Sequence, residues 1–490
     1  MTKILDVINR FVWGVPALFL IIGVGLYLSI GTYWAQFRLF PAAIRQFCCL
    51  FLKGNDQSTR SGYRALCTAL AATVGTGNLA GVAGAIAIGG PGAIFWMWIC
   101  GILGMITKFA EASLAVRYRS TDQNGTPVGG PMYMIRQGMG IKWMPLAVIY
   151  CIFGLTAAFG VGSATQINAV IGGINSVLEA CSLSGSTRVD AVVGIVFSVI
   201  VLLVMFGGAE RVGAFAERLI PFASVSYVLL CIVALMICND DIPRSFASIF
   251  YGAWNPKAVT GGALGSLFAA LRVGASRGVF TNEAGMGTAS IAHAGAQVEH
   301  PIQQGMMGIL EVFLDTIVIC TLTALVILCS GIPIPYGNDL GITITADAFS
   351  CVFGAWVKIP IALFLCLFAF ATIIGWGMYG GRCAQFLFGA QAWRSFAVLL
   401  AASIILGAVT KTGTVWMISE TVNGLMAIPN LILLFYLSPE LFRLTQDYTS
   451  CFGRTTANGG TYENIHQCKP MRTLSHAEIP SACGEGKECR

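Results

Sequence analysis

Apolar residues in this chain come in long runs, and polar and charged residues gather between the runs rather than alternating with them. A hydrocarbon core of about 30 Å takes roughly 20 residues of α-helix, and runs of that length recur from Val15 to Leu437, which predicts roughly eleven membrane spans. They fall at residues 15–33, 65–88, 92–116, 144–171, 191–206, 215–238, 263–289, 305–331, 356–379, 393–409 and 415–437. The expected class is therefore an all-α integral membrane protein. The last stretch, 438–490, is polar and has no helical period, so it reads as a disordered tail.

Composition agrees. Of 490 residues, 56% are hydrophobic and only 11% charged, with mean hydropathy +0.76, which is more apolar surface than a water-soluble enzyme can bury. The net charge of +6 sits mostly in loops flanking the runs, so membrane orientation explains it and a nucleic-acid partner is not expected. The run at 15–31 is followed by Tyr33-Trp34, an interfacial aromatic pair, and not by a small-residue cleavage site, so it reads as a helix of the mature protein. Most of the 17 cysteines lie inside apolar runs and behave as small hydrophobes, and no spacing suggests a metal site.

Positive loops stay in the cytoplasm. Arg38, Arg45, Lys53 and Arg60, the stretch 117–142, the turn at Arg211, the turn 382–394 and the tail are then cytoplasmic, placing the N-terminus outside and the C-terminus inside, as expected for a multi-pass inner-membrane protein. Setting aside the first span with its loop (1–61), the rest divides into five spans (62–238), an external loop (239–260) and five more (261–437). Each group opens with a Gly-rich, polar span. An odd number of spans per group makes the two groups inverted repeats, and interrupted helices at matching positions mark a binding site at mid-membrane.

The first of these spans carries Val74-Gly75-Thr76-Gly77-Asn78 near its middle. Two glycines spaced by one residue weaken the helix there, and a break frees N–H groups for a substrate carboxylate and C=O groups for a cation. Gly81 and Gly84 read as helix-packing residues. In the second span Gly278-Val279-Phe280-Thr281-Asn282 is the expected break, with Phe280 walling a pocket and the Thr281 and Asn282 oxygens near a cation. Arg277 and Glu283 are expected to pair, and Arg272 to snorkel. Gln166 and Asn168 are two residues apart on different helix faces, so one reaches the substrate and the other a neighbouring helix. Thr372 and Trp376, at i and i+4, present a hydroxyl and an aromatic wall on one face. Glu311 and Asp315, also i and i+4, either relay protons or pair within the bundle. Lys108 and Glu111 read as a snorkelled set near a cytoplasmic helix end, and His293 and His300 as residues of the cytoplasmic edge. No nucleophile or metal motif such as H-E-x-x-H or G-x-S-x-G supports an enzyme, and paired broken helices suit an occluded site better than a channel.

The stretch TALAATVGTGNLAGVAGAIAIGGPGAIFWMWICGILGMITKFAEASLAVRYR, together with GTPVGGPMYMI, SRGVFTNEAGMGTASIAHA and ATIIGWGMYG, resembles the alanine or glycine:cation symporter family over residues 1–440. The resemblance implies a leucine-transporter (LeuT) fold of five plus five helices with one extra N-terminal helix. It also implies sodium, or a proton, as coupling ion and alanine or glycine as substrate. By that likeness the substrate meets Gly75, Thr76, Gly77, Asn78, Gln166, Asn168, Phe280, Thr372 and Trp376. VGTGN is also similar to the break in sodium-coupled neurotransmitter transporters, which implies sodium at the Ala71 and Val74 carbonyls with Thr372. A cation-independent exchanger on the same fold is the competing expectation.

Overall fold

The computed structural model describes residues 15–52, 57–123, 125–183, 185–255, 267–337, 341–410 and 412–457, and these are almost wholly helical. Helix α1 (Val15–Gly31) leads to the amphipathic α2 (Phe40–Leu52), which packs on the bundle. Helices α3 (Gln57–Thr73) and α4 (Ala80–Gly89) form one span bent by 56°. A Gly-Gly-Pro turn then starts α5 (Gly92–Arg117), and a two-residue hairpin, Ser120 opposite Val128, leads to α6 (Ile141–Ala180), α7 (Thr187–Met205) and α8 (Gly208–Ile237). In α5, 67% of the apolar window is buried against 28% in α7, so α5 is an interior helix and α7 faces lipid.

The second half opens with α9 (Ile242–Trp254), an amphipathic helix inside the segment expected to be plain loop. Next come α10 (Leu267–Asn282) and the short α11 (Thr288–His293), then α12 (Pro301–Cys329). The amphipathic α13 (Ile342–Phe353), α14 (Lys358–Phe388), α15 (Ala392–Val409) and α16 (Thr412–Ala457) complete the described chain. Among the described residues eight helices are long and apolar enough to span alone, the bent pair α3 and α4 makes a ninth, and α1 is a shorter apolar helix; α10 and α11 occupy the run expected at 263–289.

Three expectations are corrected. Helix α16 continues to Ala457, with Ser438, Leu441, Leu444 and Tyr448 buried, so 438–457 is not a disordered extension. Its polar positions hid a helix whose apolar residues meet the bundle at helical spacing; residues 458–490 lie outside the described residues. Second, Gly278 does not break α10. A Cβ on Gly274 would meet the Ala93 carbonyl at 2.2 Å, and one on Gly278 would sit 3.5 Å from Met97 and Cys100. These glycines, at i and i+4, are the flat face on which α10 lies against α5.

Third, Lys108, Glu111 and His293 are fully buried, not interfacial. Lys108 Nζ donates to Glu311 Oε1 at 3.0 Å, His293 Nε2 lies 3.0 Å from Glu311 Oε2, and Gln304 Nε2 is 2.7 Å from His293 Nδ1. The network ties α5, α11 and α12 together. Glu311 thus pairs within the bundle, with a lysine that the sequence reading had placed at the membrane edge.

Two outcomes test this packing. Gly274→Ala forces a methyl into the α5 backbone and is expected to lower stability by about 1–3 kcal/mol, read as a fall in melting temperature in detergent. Lys108→Met strands a buried carboxylate and is expected to cost about 3–5 kcal/mol, whereas Lys108→Met with Glu311→Leu recovers most of that loss.

Candidate functional site

The last regular bond of α3 runs from Val74 N–H to Leu70 O, at 2.7 Å. Beyond it the backbone donors turn elsewhere. Gly75 N–H donates to Asn78 Oδ1 at 2.8 Å, Thr76 N–H to Gln166 Oε1 at 3.4 Å, and Asn78 N–H back to Gly75 O at 3.3 Å. In a continuous helix these donors would serve the carbonyls of Ala71, Ala72 and Val74. The break therefore releases three carbonyls on the α3 side.

The side chains around this break come from four helices. Thr76 Oγ1 also donates to Gln166 Oε1, at 2.8 Å. Gln166 is presented by a π-helical turn in α6 (Gly160–Ala164), and its Nε2 holds Val161 O at 3.1 Å. Asn78 Nδ2 reaches Asp315 Oδ1 at 2.7 Å in a second π-helical stretch, Phe313–Cys320 of α12. From α14, Thr372 Oγ1 would lie 2.4 Å from a Cβ on Gly75, and it is buried without a hydrogen-bond partner. Gly75 is sterically required at this approach; Gly77 is less so, since its Cβ would meet Thr281 Oγ1 at an ordinary 3.4 Å.

The second break follows Asn282. Glu283 has φ 55°, Gly285 φ 91° and Gly287 φ 77°, so the chain runs left-handed three times within five residues. Only glycine accepts such angles freely, and Glu283 is held there by its own side chain. Trp376 Nε1 donates to Glu283 Oε1 and Thr288 Oγ1 to Oε2, each at 2.6 Å. The expected Glu283–Arg277 pair does not form, because six residues of helix place the two on different faces. Glu111 Oε1 accepts the N–H groups of Gly285 (2.9 Å) and Gly287 (3.0 Å) and the Asn430 amide (2.8 Å). Asn282 Oδ1 accepts Ala284 N–H at 3.0 Å, and its Nδ2 donates to Thr316 Oγ1 at 3.1 Å.

Of the residues expected at the site, Gly75, Thr76, Gly77, Asn78, Gln166 and Thr372 come together with the released carbonyls of Ala71 and Val74. Thr281 joins them across Gly77, and Phe280 is buried beside it on α10. Trp376 reaches the second break through Glu283. Asn282 is there too, but its oxygen caps the backbone. Asn168 is not brought in: its Nδ2 donates to the carbonyls of Gly407 on α15 and of Thr410 just after it. Glu111, Asn430 and Asp315 were not foreseen as the partners that hold the groups around the two breaks in place. The signal was present, since a carboxylate or amide inside an apolar span needs a partner.

A cleft of about 1240 Å³ leads toward this region. It opens between the hairpin after α5, the α7–α8 turn and the end of α14, and is lined along α3 by Arg60, Arg64 and Thr68. The next positions on that face are Ala72 and Gly75. Gly375 packs against Ala72, with its absent Cβ 3.0 Å away, and neither residue is among those that line the cleft.

The model of the sodium:alanine symporter family matches residues 1–459. The chain is 38% identical over 443 residues to the sodium/alanine symporter AgcS of Methanococcus maripaludis, covering 89% of this chain and 94% of that protein. It is 39% identical over 452 residues to an uncharacterised transporter of Haemophilus influenzae, covering 91% and 96%. Among solved structures, MhsT in complex with L-phenylalanine matches with a TM-score of 0.55 at 13% identity, over 78% of this chain and 97% of MhsT. That likeness establishes the fold, a LeuT-type five-plus-five inverted repeat preceded by one helix. With one family model spanning nearly the whole described chain and full-length relatives well above 30% identity, this chain belongs to the sodium:alanine symporter family.

Proposed function

We propose that this protein is a multi-pass membrane symporter that uses sodium to carry a small neutral amino acid, alanine or glycine, by alternating access. The observation that carries the reading is the first break: released carbonyls and an unpartnered Thr372 hydroxyl on one side, backbone donors held only by a neutral amide on the other. Oxygen donors of this kind suit a hard cation. Sodium is assigned to the carbonyls of Ala71 and Val74 with Thr372 Oγ1. The substrate carboxylate takes the place of Gln166 Oε1 on Thr76 N–H and Thr76 Oγ1. The close approach of Thr372 to Gly75 supports a substrate with a short side chain.

The cleft opens among the loops richest in Lys and Arg, which supports a cytoplasmic opening, an external N-terminus and a C-terminus inside the cell. We assign the repeats to 62–238 and 261–437, around a lipid-exposed surface such as that of α7. Sodium binding organises the first break, the amino acid then bridges both, and the two repeats rock to close the external side and open the cleft.

The reading predicts that an inward sodium gradient drives uptake of labelled alanine into proteoliposomes. Uptake indifferent to both sodium and proton gradients would sink it, and counterflow without any ion gradient would mark an exchanger. Thr372→Val removes one ion ligand, worth about 1–2 kcal/mol, and is expected to raise the sodium concentration for half-maximal uptake by roughly tenfold, with alanine KM at saturating sodium little changed.

A further inference from the structure

A continuous chain of hydrogen bonds joins the two breaks through one carboxylate. At one end Gly75 N–H donates to Asn78 Oδ1, and Asn78 Nδ2 donates to Asp315 Oδ1 at 2.7 Å. At the other, Ala284 N–H donates to Asn282 Oδ1, Asn282 Nδ2 to Thr316 Oγ1 at 3.1 Å, and Thr316 Oγ1 to Asp315 Oδ2 at 2.8 Å. The two ends are freed backbone donors, one at each break. Asp315 is fully buried, and among the described residues no Lys, Arg or His nitrogen lies within ion-pair distance of it. The pairing within the bundle that was one of its two expected roles is therefore made to neutral donors.

Every bond in the chain points toward Asp315. A group that receives a donor on each of two oxygens must accept on both, which a carboxylate does and an amide does not. The chemistry at position 315 is thus fixed by the direction of the two arms. Each arm also fixes an amide that caps a break: if Asn78 shifts when the first break is occupied, Asp315 and Thr316 shift with it, and so does Asn282. The π-helical geometry of Phe313–Cys320 gives this stretch of α12 the slack that a regular helix lacks.

Resting on the symport reading above, we propose that Asp315 is the positioning residue that couples the ion to the amino acid: sodium at the first break sets the geometry of the second through the Asn78–Asp315–Thr316–Asn282 bridge. Coupling of this kind is reciprocal, so alanine tightens sodium binding by the same factor as sodium tightens alanine.

The test is binding of radiolabelled alanine to the purified full chain in lipid nanodiscs, over a sodium titration. Wild type is expected to gain about tenfold or more in alanine affinity between zero and saturating sodium, within the usual span of coupling free energies. In Asp315→Asn the gain is expected to fall below about threefold while sodium-free affinity stays within about threefold of wild type, since one arm of the bridge is lost and the breaks keep their caps. Thr316→Val, which removes only the second arm and keeps the carboxylate, should behave alike and carries the test if Asp315→Asn does not fold. A full sodium effect in the folded variants overturns the bridge. So does an equal loss of affinity with and without sodium, which would mark Asp315 as plain structural support. If wild-type alanine binding is itself indifferent to sodium, the symport reading fails, and that outcome is distinct from a failure confined to the variants.

Discussion

A backbone N–H released halfway across a bilayer has no water to bond, and leaving it unsatisfied costs several kcal/mol. Both breaks in this protein are governed by that constraint. Gly75 N–H is taken by Asn78, Thr76 N–H by Gln166, Ala284 N–H by Asn282, and the N–H groups of Gly285 and Gly287 by Glu111. Each of these polar side chains sits in a span where burial would otherwise be unfavourable, and each is offset by a donor that only a broken helix supplies. The breaks and the polar residues thus require one another. The two π-helical stretches fit the same pattern: one precedes Gln166 and the other contains Asp315, two of the side chains that approach the first break from outside its own span.

The buried charge follows from the scaffolding that the second break needs. Glu111 lies one turn beyond Lys108 on α5, so the helix that caps the break also carries the cation paired with Glu311. His293 then fastens the short α11 to the same carboxylate. A six-residue half-helix has almost no stability of its own. It is held by side chains on both flanks: Thr288 on Glu283 at its start and His293 on Glu311 at its end.

The spans, the first break and the residues around Thr76 were legible because composition and local sequence decide them: long apolar runs, and two glycines beside Thr76 and Asn78. The second break was placed five residues too early. Gly278 and Gly285 look alike in sequence, and only the packing of α10 on α5 shows that the former is a contact and the latter a turn. Asn168 and Gln166 were likewise indistinguishable until the π-helical turn rotated one toward the break and the other toward α15. Lys108 and Glu111 were misread because their distance from a helix end was counted along the chain, whereas their burial is set by α11, α12 and α16 folding over them. Amphipathic α9 and the continuation of α16 past Ser438 escaped notice for a related reason, since half-polar helices at the edge of a bundle carry too little apolar length to register as spans.

The two breaks differ in what holds their donors, and the difference gives the site a direction. At the first, a neutral amide oxygen of Gln166 accepts from Thr76 N–H and Thr76 Oγ1; at the second, a carboxyl oxygen of Glu111 accepts from Gly285 and Gly287. An arriving amino acid brings its own carboxylate. Hydrogen bonds to an ionised acceptor are roughly twice as strong as neutral ones, so that carboxylate outcompetes Gln166 at Thr76 but gains nothing over Glu111. Its acid end is therefore drawn to the first break, where we propose the sodium ligands, and its ammonium is left toward the second. On the proposed assignment of the cation to Ala71, Val74 and Thr372, it lies on the same side as the only full negative charge on the substrate, so each ligand lowers the desolvation cost of the other. Two ligands whose charges must be buried together in a dry site bind far better as a pair than singly, and that mutual dependence is the energetic root of symport.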